Sequence, residues 1–120
     1  MPSARINRGD VYWITPDGAR GEVDVPHPHV VVQEDVLNHS RIGSVVVCAL
    51  TSNLSRASEP GNVLLDEGEG DLPKRSVVIV SQVDAVDKTR LGERIGSLSE
   101  ERVAQVLAGL RFQQTAFFRD

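Results

Sequence analysis

The sequence predicts a mainly β domain closed by one C-terminal α-helix, and three observations carry that prediction. Val45-Val46-Val47-Cys48-Ala49-Leu50 is an unbroken apolar run rich in β-branched residues, and Val77-Val78-Ile79-Val80 is a second. Short runs of this kind, without polar alternation, mark strands buried on both faces, although periodicity alone leaves a buried helix open. After Ser99 the apolar spacing becomes helical, with Val103, Val106, Leu107, Leu110 and Phe117 on one face.

The elements follow in order. Residues 1–7 form a loose lead-in, and Arg8-Gly9-Asp10 enters a first strand, Val11-Tyr12-Trp13-Ile14. Thr15-Pro16-Asp17-Gly18 ends it in a turn, since proline presets φ and glycine accepts positive φ. Pro26 and Pro28 hold His27 extended, because a residue before proline is pushed out of the helical region. A second strand is expected over 29–33, then a helical turn over 34–40 with Leu37 tucked inward. The run at 45–50 is the central strand. It turns abruptly polar at Thr51, Ser52 and Asn53, and a strand that presents such groups where it leaves the core is a natural place for a site.

A long loop over 52–61 returns through Pro60-Gly61 to a short strand at 62–65. Residues 66–71 are an acidic, glycine-rich loop, read as a solvated turn. A buried strand spans 76–82, Val83 and Val86 belong to a turning segment, and 94–98 makes a last short strand. Ser99 is a good helix N-cap, and Glu100 and Glu101 favour the positive end of the helix dipole. Gly109 weakens the helix by up to ~1 kcal/mol relative to alanine.

The 120 residues make one domain, 1–120, long enough to bury about two-thirds of its unfolded surface. With 40% hydrophobic and 25% charged residues, composition is that of a soluble globular protein. No run approaches the ~20 apolar residues of a membrane span, and no apolar segment follows the N-terminal arginines as a signal peptide requires. The cytoplasm is the expected location. Net charge is −4, so the overall field repels nucleic acid, and RNA or DNA would need a local basic or hydrogen-bonding cleft.

Candidate chemistry centres on histidine. His27 and His29 are two apart and point to one face of an extended chain. A metal site would need further ligands, and only His39 and the acidic loop offer them, with no spacing to tie them together. No metal and no cofactor are expected. One histidine lining a cleft is the better reading, since this side chain exchanges protons near neutral pH. Cys48, the single cysteine, reads as a packed small hydrophobe. The acidic loop lacks the alternating ligands of a calcium loop, and Gly68-Glu69-Gly70 lacks the Lys-Ser/Thr of a phosphate loop.

Several motifs in order resemble the MazF/PemK/Kid family of toxins from toxin–antitoxin pairs. These are Arg8-Gly9-Asp10-Val11-Tyr12-Trp13, Pro28 before an apolar strand, Leu50-Thr51-Ser52, and Pro60-Gly61-Asn62-Val63. Ser76-Val77-Val78 leading to Gln82, then Val86-Asp87-Lys88 and Arg90-Leu91, and finally Leu98-Ser99, keep the family's order and spacing. The resemblance covers about residues 8–110. It implies a small SH3-like (CcdB/MazF-type) antiparallel barrel with a C-terminal helix, a homodimer and a cognate antitoxin partner. It further implies a metal-independent endoribonuclease on single-stranded RNA. The ribose 2′-hydroxyl attacks its own phosphate, leaving a 2′,3′-cyclic phosphate and a 5′-hydroxyl.

The resemblance also implies site residues. His27 stands where the family has the arginine of its Arg-Pro motif, and Asp84 stands where it has a second arginine, whereas Thr51, Glu22 and Asp87 match. His27, His29 and Thr51 are therefore the catalytic candidates, and Arg20, Glu22, Ser52, Asn53 and Asp87 the substrate-binding ones. If protonated histidine is required, activity falls as pH rises past a pKa of ~6.5. The alternative is a catalytically silent barrel that acts as a binding module or poisons DNA gyrase as CcdB does.

Overall fold

In the computed structural model, residues 5–15 and 25–118 are described. They build six strands: β1 (Asp10–Ile14), β2 (His27–Val31), β3 (Ser44–Thr51), β4 (Val63–Leu65), β5 (Ser76–Asp87) and β6 (Leu91–Ser97). Two α-helices accompany them, a single turn α1 (Asp35–Asn38) and the long α2 (Glu100–Thr115). All six strands join one antiparallel sheet in the order β4-β5-β3-β2-β1-β6.

The valine runs lack polar alternation because both faces of the sheet carry a core. One cluster takes Val11, Val30, Cys48, Leu50, Val78 and Val106; the other takes Tyr12, Ile14, Val31, Val45, Val47 and Val86. Neighbours along β1, β2 and β3 thus alternate between two apolar interiors, as the period of two requires. Helix α2 covers the first cluster, with Val103, Leu107 and Leu110 packed beside Val106. Its N-cap is Ser99, whose hydroxyl accepts from the Arg102 N–H at 3.2 Å. Asp10 is buried at the entry to β1, where it accepts from the Asn7 N–H and the Ser97 hydroxyl.

Several details differ from the sequence reading. Strand β2 begins at His27 and ends at Val31, two residues early at each end, because the N–H groups of Val32 and Gln33 both converge on the Val46 carbonyl and the ladder stops. Pro28 is tolerated because pairing of β2 with β3 starts only at His29. In α1 it is Asn38 that turns inward, not Leu37, which stays exposed. The Asn38 amide donates to the Gln33 carbonyl at 2.7 Å and accepts from the Gln33 side chain at 3.0 Å, so its burial is satisfied.

Strand β5 does not stop at Gln82 but runs on to Asp87. Between the pairs Cys48↔Val83 and Leu50↔Val78, β3 advances two residues (48 to 50) and β5 five (78 to 83). This large bulge turns polar side chains outward in mid-strand, which is why the sequence there reads as a turn. Strand β6 starts earlier than expected, at Leu91. The acidic loop is anchored and not simply solvated: the Arg102 guanidinium donates twice to the Glu69 carboxylate, at 2.9 Å each, and holds its pKa below the ordinary value. Phe117 lies beyond α2 in a short 3₁₀ turn (Ala116–Phe118) and is exposed.

Gly109 has a reason to be glycine that helix propensity does not show. It is buried where α2 crosses the loop before β4, and a Cβ there would collide with the Gly61 carbonyl oxygen and press on Val80. We expect Gly109→Ala to destabilise the fold by about 1–3 kcal/mol despite alanine's better helix propensity. A thermal melt with Tm unchanged or raised would contradict this packing.

Candidate active site

The bulge of β5, the end of β3 and the start of β2 open a cleft of 520 Å³. Its apolar floor includes Ile14, Leu50, Ile79 and Val86, and its polar wall is His27, His29, Thr51, Arg56, Gln82, Asp84 and Arg90. The two histidines share a face of β2 by strand alternation, and Thr51 arrives from β3. Arg56 comes from a 3₁₀ turn (Leu54–Ser58), and Arg90 from another (Lys88–Arg90).

His29 is the more constrained histidine. Its Nδ1 lies 2.9 Å from the His27 carbonyl oxygen. A carbonyl only accepts, so Nδ1 carries the proton and the neutral ring keeps its lone pair on Nε2. Burial lowers the His29 pKa below its ordinary 6.5, and the neighbouring His27 ring and Arg90 push it the same way. The hydrogen bond to the His27 carbonyl and the Asp84 carboxylate oppose this, and the net direction is down. His29 is thus uncharged at neutral pH, with an unprotonated Nε2 that bonds to none of the described residues. His27 is exposed at the lip.

The charged groups are held in place. The Arg90 guanidinium donates from Nη2 to the Thr15 carbonyl at 2.6 Å. Arg56 makes a two-pronged ion pair with Glu59, at 2.8 and 2.9 Å. Thr51 Oγ1 accepts from the Asn53 N–H at 3.1 Å, which leaves its own hydroxyl proton to donate elsewhere. Arg56 is matched by Glu59, so Arg90 and Asp84 are the charged groups of the cleft without an ion-pair partner among the described residues.

The other candidates fall in different places. Asn53 caps the 3₁₀ turn that carries Arg56, accepting from the Ser55 N–H and hydroxyl. Asp87 caps the turn that carries Arg90, accepting from the Thr89 N–H and hydroxyl, and these bonds lower its pKa. Neither lines the cleft; each holds a segment that delivers an arginine to it. Ser52 lies beyond Thr51, on a smaller depression. Arg20 and Glu22 lie outside the described residues.

Cys48 is fully buried and its thiol is pushed up to about 12, so it is no nucleophile. His39 is not with the other histidines; its Nε2 meets the Asn7 side chain. Among the described residues no three histidine, cysteine, aspartate or glutamate side chains gather as a metal site.

Arg56, Gln82 and Arg90 are the cleft residues that the sequence did not single out for a role. For Arg90 a signal existed: Asp87 two residues before Thr89 is a capping pattern that fixes the turn. Arg56 and Gln82 reach the cleft through a loop and a bulge, neither of which leaves a periodicity.

This fold and site define a small antiparallel β domain with a polar, cation-bearing cleft at the end of its central strand. Residues 7–113 match the family described as PemK-like, MazF-like toxin of type II toxin–antitoxin system, and the chain belongs to that family. It is 35% identical over 107 residues to endoribonuclease MazF6 of Mycobacterium tuberculosis, covering 88% of this chain and 94% of that protein. It is 33% identical over 102 residues to endoribonuclease MazF of Staphylococcus epidermidis, covering 84% of each. Among solved structures, a MazE–MazF crystal structure from Deinococcus radiodurans superposes with a TM-score of 0.78 at 20% identity, over 94% of this chain and 98% of that one. The expected SH3-like, MazF-type architecture is therefore borne out.

Proposed function

We propose that this chain is the toxin of a toxin–antitoxin pair and an endoribonuclease acting on single-stranded RNA. It works as one domain over 1–120, in the cytoplasm, as a homodimer restrained by its antitoxin. Membership of the toxin family and the endoribonuclease names of its relatives support the activity. The observation that carries the chemistry is His29: a half-buried neutral imidazole with Nε2 free, beside two arginines and a strand-end threonine.

In this reading Nε2 of His29 takes the proton of the ribose 2′-hydroxyl as its oxygen attacks the adjacent phosphorus. Arg90 and Arg56 face the charge that builds on the non-bridging oxygens, and the Thr51 hydroxyl donates to one of them. The bond from phosphorus to the 5′-oxygen breaks, and His27 at the lip donates a proton to that oxygen. The products are a 2′,3′-cyclic phosphate and a 5′-hydroxyl. Residues of this cleft thus do the work of both arginines missing from the family pattern.

The test is cleavage of a broad single-stranded RNA pool in excess chelator, with the new ends mapped. Cuts at a short defined sequence, with cyclic-phosphate ends and blocked by 2′-deoxy substitution at the cut, are expected. A folded protein that cuts no RNA in the pool would overturn the enzyme reading in favour of a silent barrel with a protein target.

A further inference from the structure

On the far side of Thr51 from the cleft lies a second depression, of 290 Å³. His27, Leu50 and Thr51 line both, so the two hollows share one wall at the catalytic candidates. Across that wall the chemistry changes. Trp13 and Pro28, cross-strand partners on β1 and β2, form an aromatic and apolar side together with Leu72 and Pro73. Lys74 and Ser52 line the depression from exposed positions, and Ser76 lies buried beneath them with its hydroxyl donating to the Lys74 carbonyl at 3.0 Å. At 290 Å³ the space sits at the small end of ligand pockets, which run about 300–1,000 Å³.

A flat apolar face, a hydroxyl and one exposed cation are what a single unstacked nucleobase and its phosphate need. We propose that this depression is a base-binding subsite for the nucleotide next to the cut phosphate. Trp13 supplies the stacking face, Ser52 meets the base edge, and Lys74 holds the following phosphate. The proposal rests on the ribonuclease reading of the neighbouring cleft, because continuity through Thr51 is what makes a nucleotide its occupant. It makes Trp13 and its neighbours determinants of the sequence cut.

Trp13 is the one tryptophan of the chain, so indole fluorescence is read from the wall of this depression. The whole protein is titrated with uncleavable 2′-O-methyl oligonucleotides of each base, with binding followed in parallel by anisotropy of a labelled strand. Saturable quenching by at least one base is expected, with affinity weakened several-fold in Lys74→Ala and the salt dependence shallower. Trp13→Leu should lose about 5- to 150-fold in affinity for that base. It should also relax the preference at one position beside the cut, with kcat/KM lowered in step with the lost affinity.

Binding to saturation with unchanged tryptophan emission would overturn the subsite, as would the wild-type sequence preference in Trp13→Leu. Emission that changes only with protein concentration would assign the depression to a second copy of the chain. If Trp13→Leu does not fold, quenching in the wild type and its shift to higher oligonucleotide concentration in Lys74→Ala still decide. Quenching without cleavage of the matching ribo-oligonucleotide would keep the subsite and sink the nuclease. Cleavage without quenching would do the reverse.

Discussion

Replacing His29 by glutamine lowers the rate of RNA cleavage by about 10²–10⁴-fold, the usual contribution of a positioned general base. Glutamine is close in length and its amide can still donate to the His27 carbonyl, so the backbone of β2 keeps its bond. What it cannot do is accept a proton at neutral pH. The loss should therefore appear in single-turnover cleavage of a defined RNA, with circular dichroism and Tm close to wild type. A Gln variant that cuts at the wild-type rate would move the base to His27, which lines the same cleft.

Arg90→Ala is the second large effect, with an expected loss of about 10²–10³-fold, as for removal of one transition-state donor elsewhere. Arg90 is tied by one arm to the Thr15 carbonyl, and this fixes where the rest of its planar fork can point. Arg90→Lys should recover little, because a single ammonium cannot hold that carbonyl and a phosphate in the same geometry. A merely structural arginine would not move the titration of its neighbour, but this one should. Arg90 helps to lower the His29 pKa, so its removal raises that pKa and shifts the acid limb of the pH–rate profile to higher pH. Wild-type rate and an unshifted limb in Arg90→Ala would remove it from the site.

What could be read from the sequence was whatever depends on near neighbours. Strand β3, the helix and its Ser99 cap follow from short apolar runs and one hydroxyl, and they fall where expected. His27, His29 and Thr51 sit at strand ends that pairing brings together, so alternation along β2 was enough to place both rings on one side. What could not be read depends on distant contacts. Asn38 goes inward because Gln33 and Asp35 satisfy it, a polar interior that no hydropathy pattern encodes. The continuation of β5 beyond Gln82 to Asp87 is hidden by a bulge that only its partner strand reveals. Arg90 meets Thr15 across 75 residues of chain, and Asp87, expected at the substrate, instead caps the turn that brings Arg90 there. Gly109 reads as a weak point in a helix until Gly61 is seen beneath it.

The central claim is that a neutral His29 is the base for RNA cleavage, and the pH dependence of kcat/KM on one defined RNA tests it most directly. This quantity reports the ionisations of the free enzyme. Because burial lowers the His29 pKa, the neutral form persists below pH 6.5, and the acid limb of the profile should lie beneath that value. The same acid limb should be absent from the residual activity of His29→Gln. An acid limb that lies above pH 6.5, or one that persists unchanged in His29→Gln, would contradict the account.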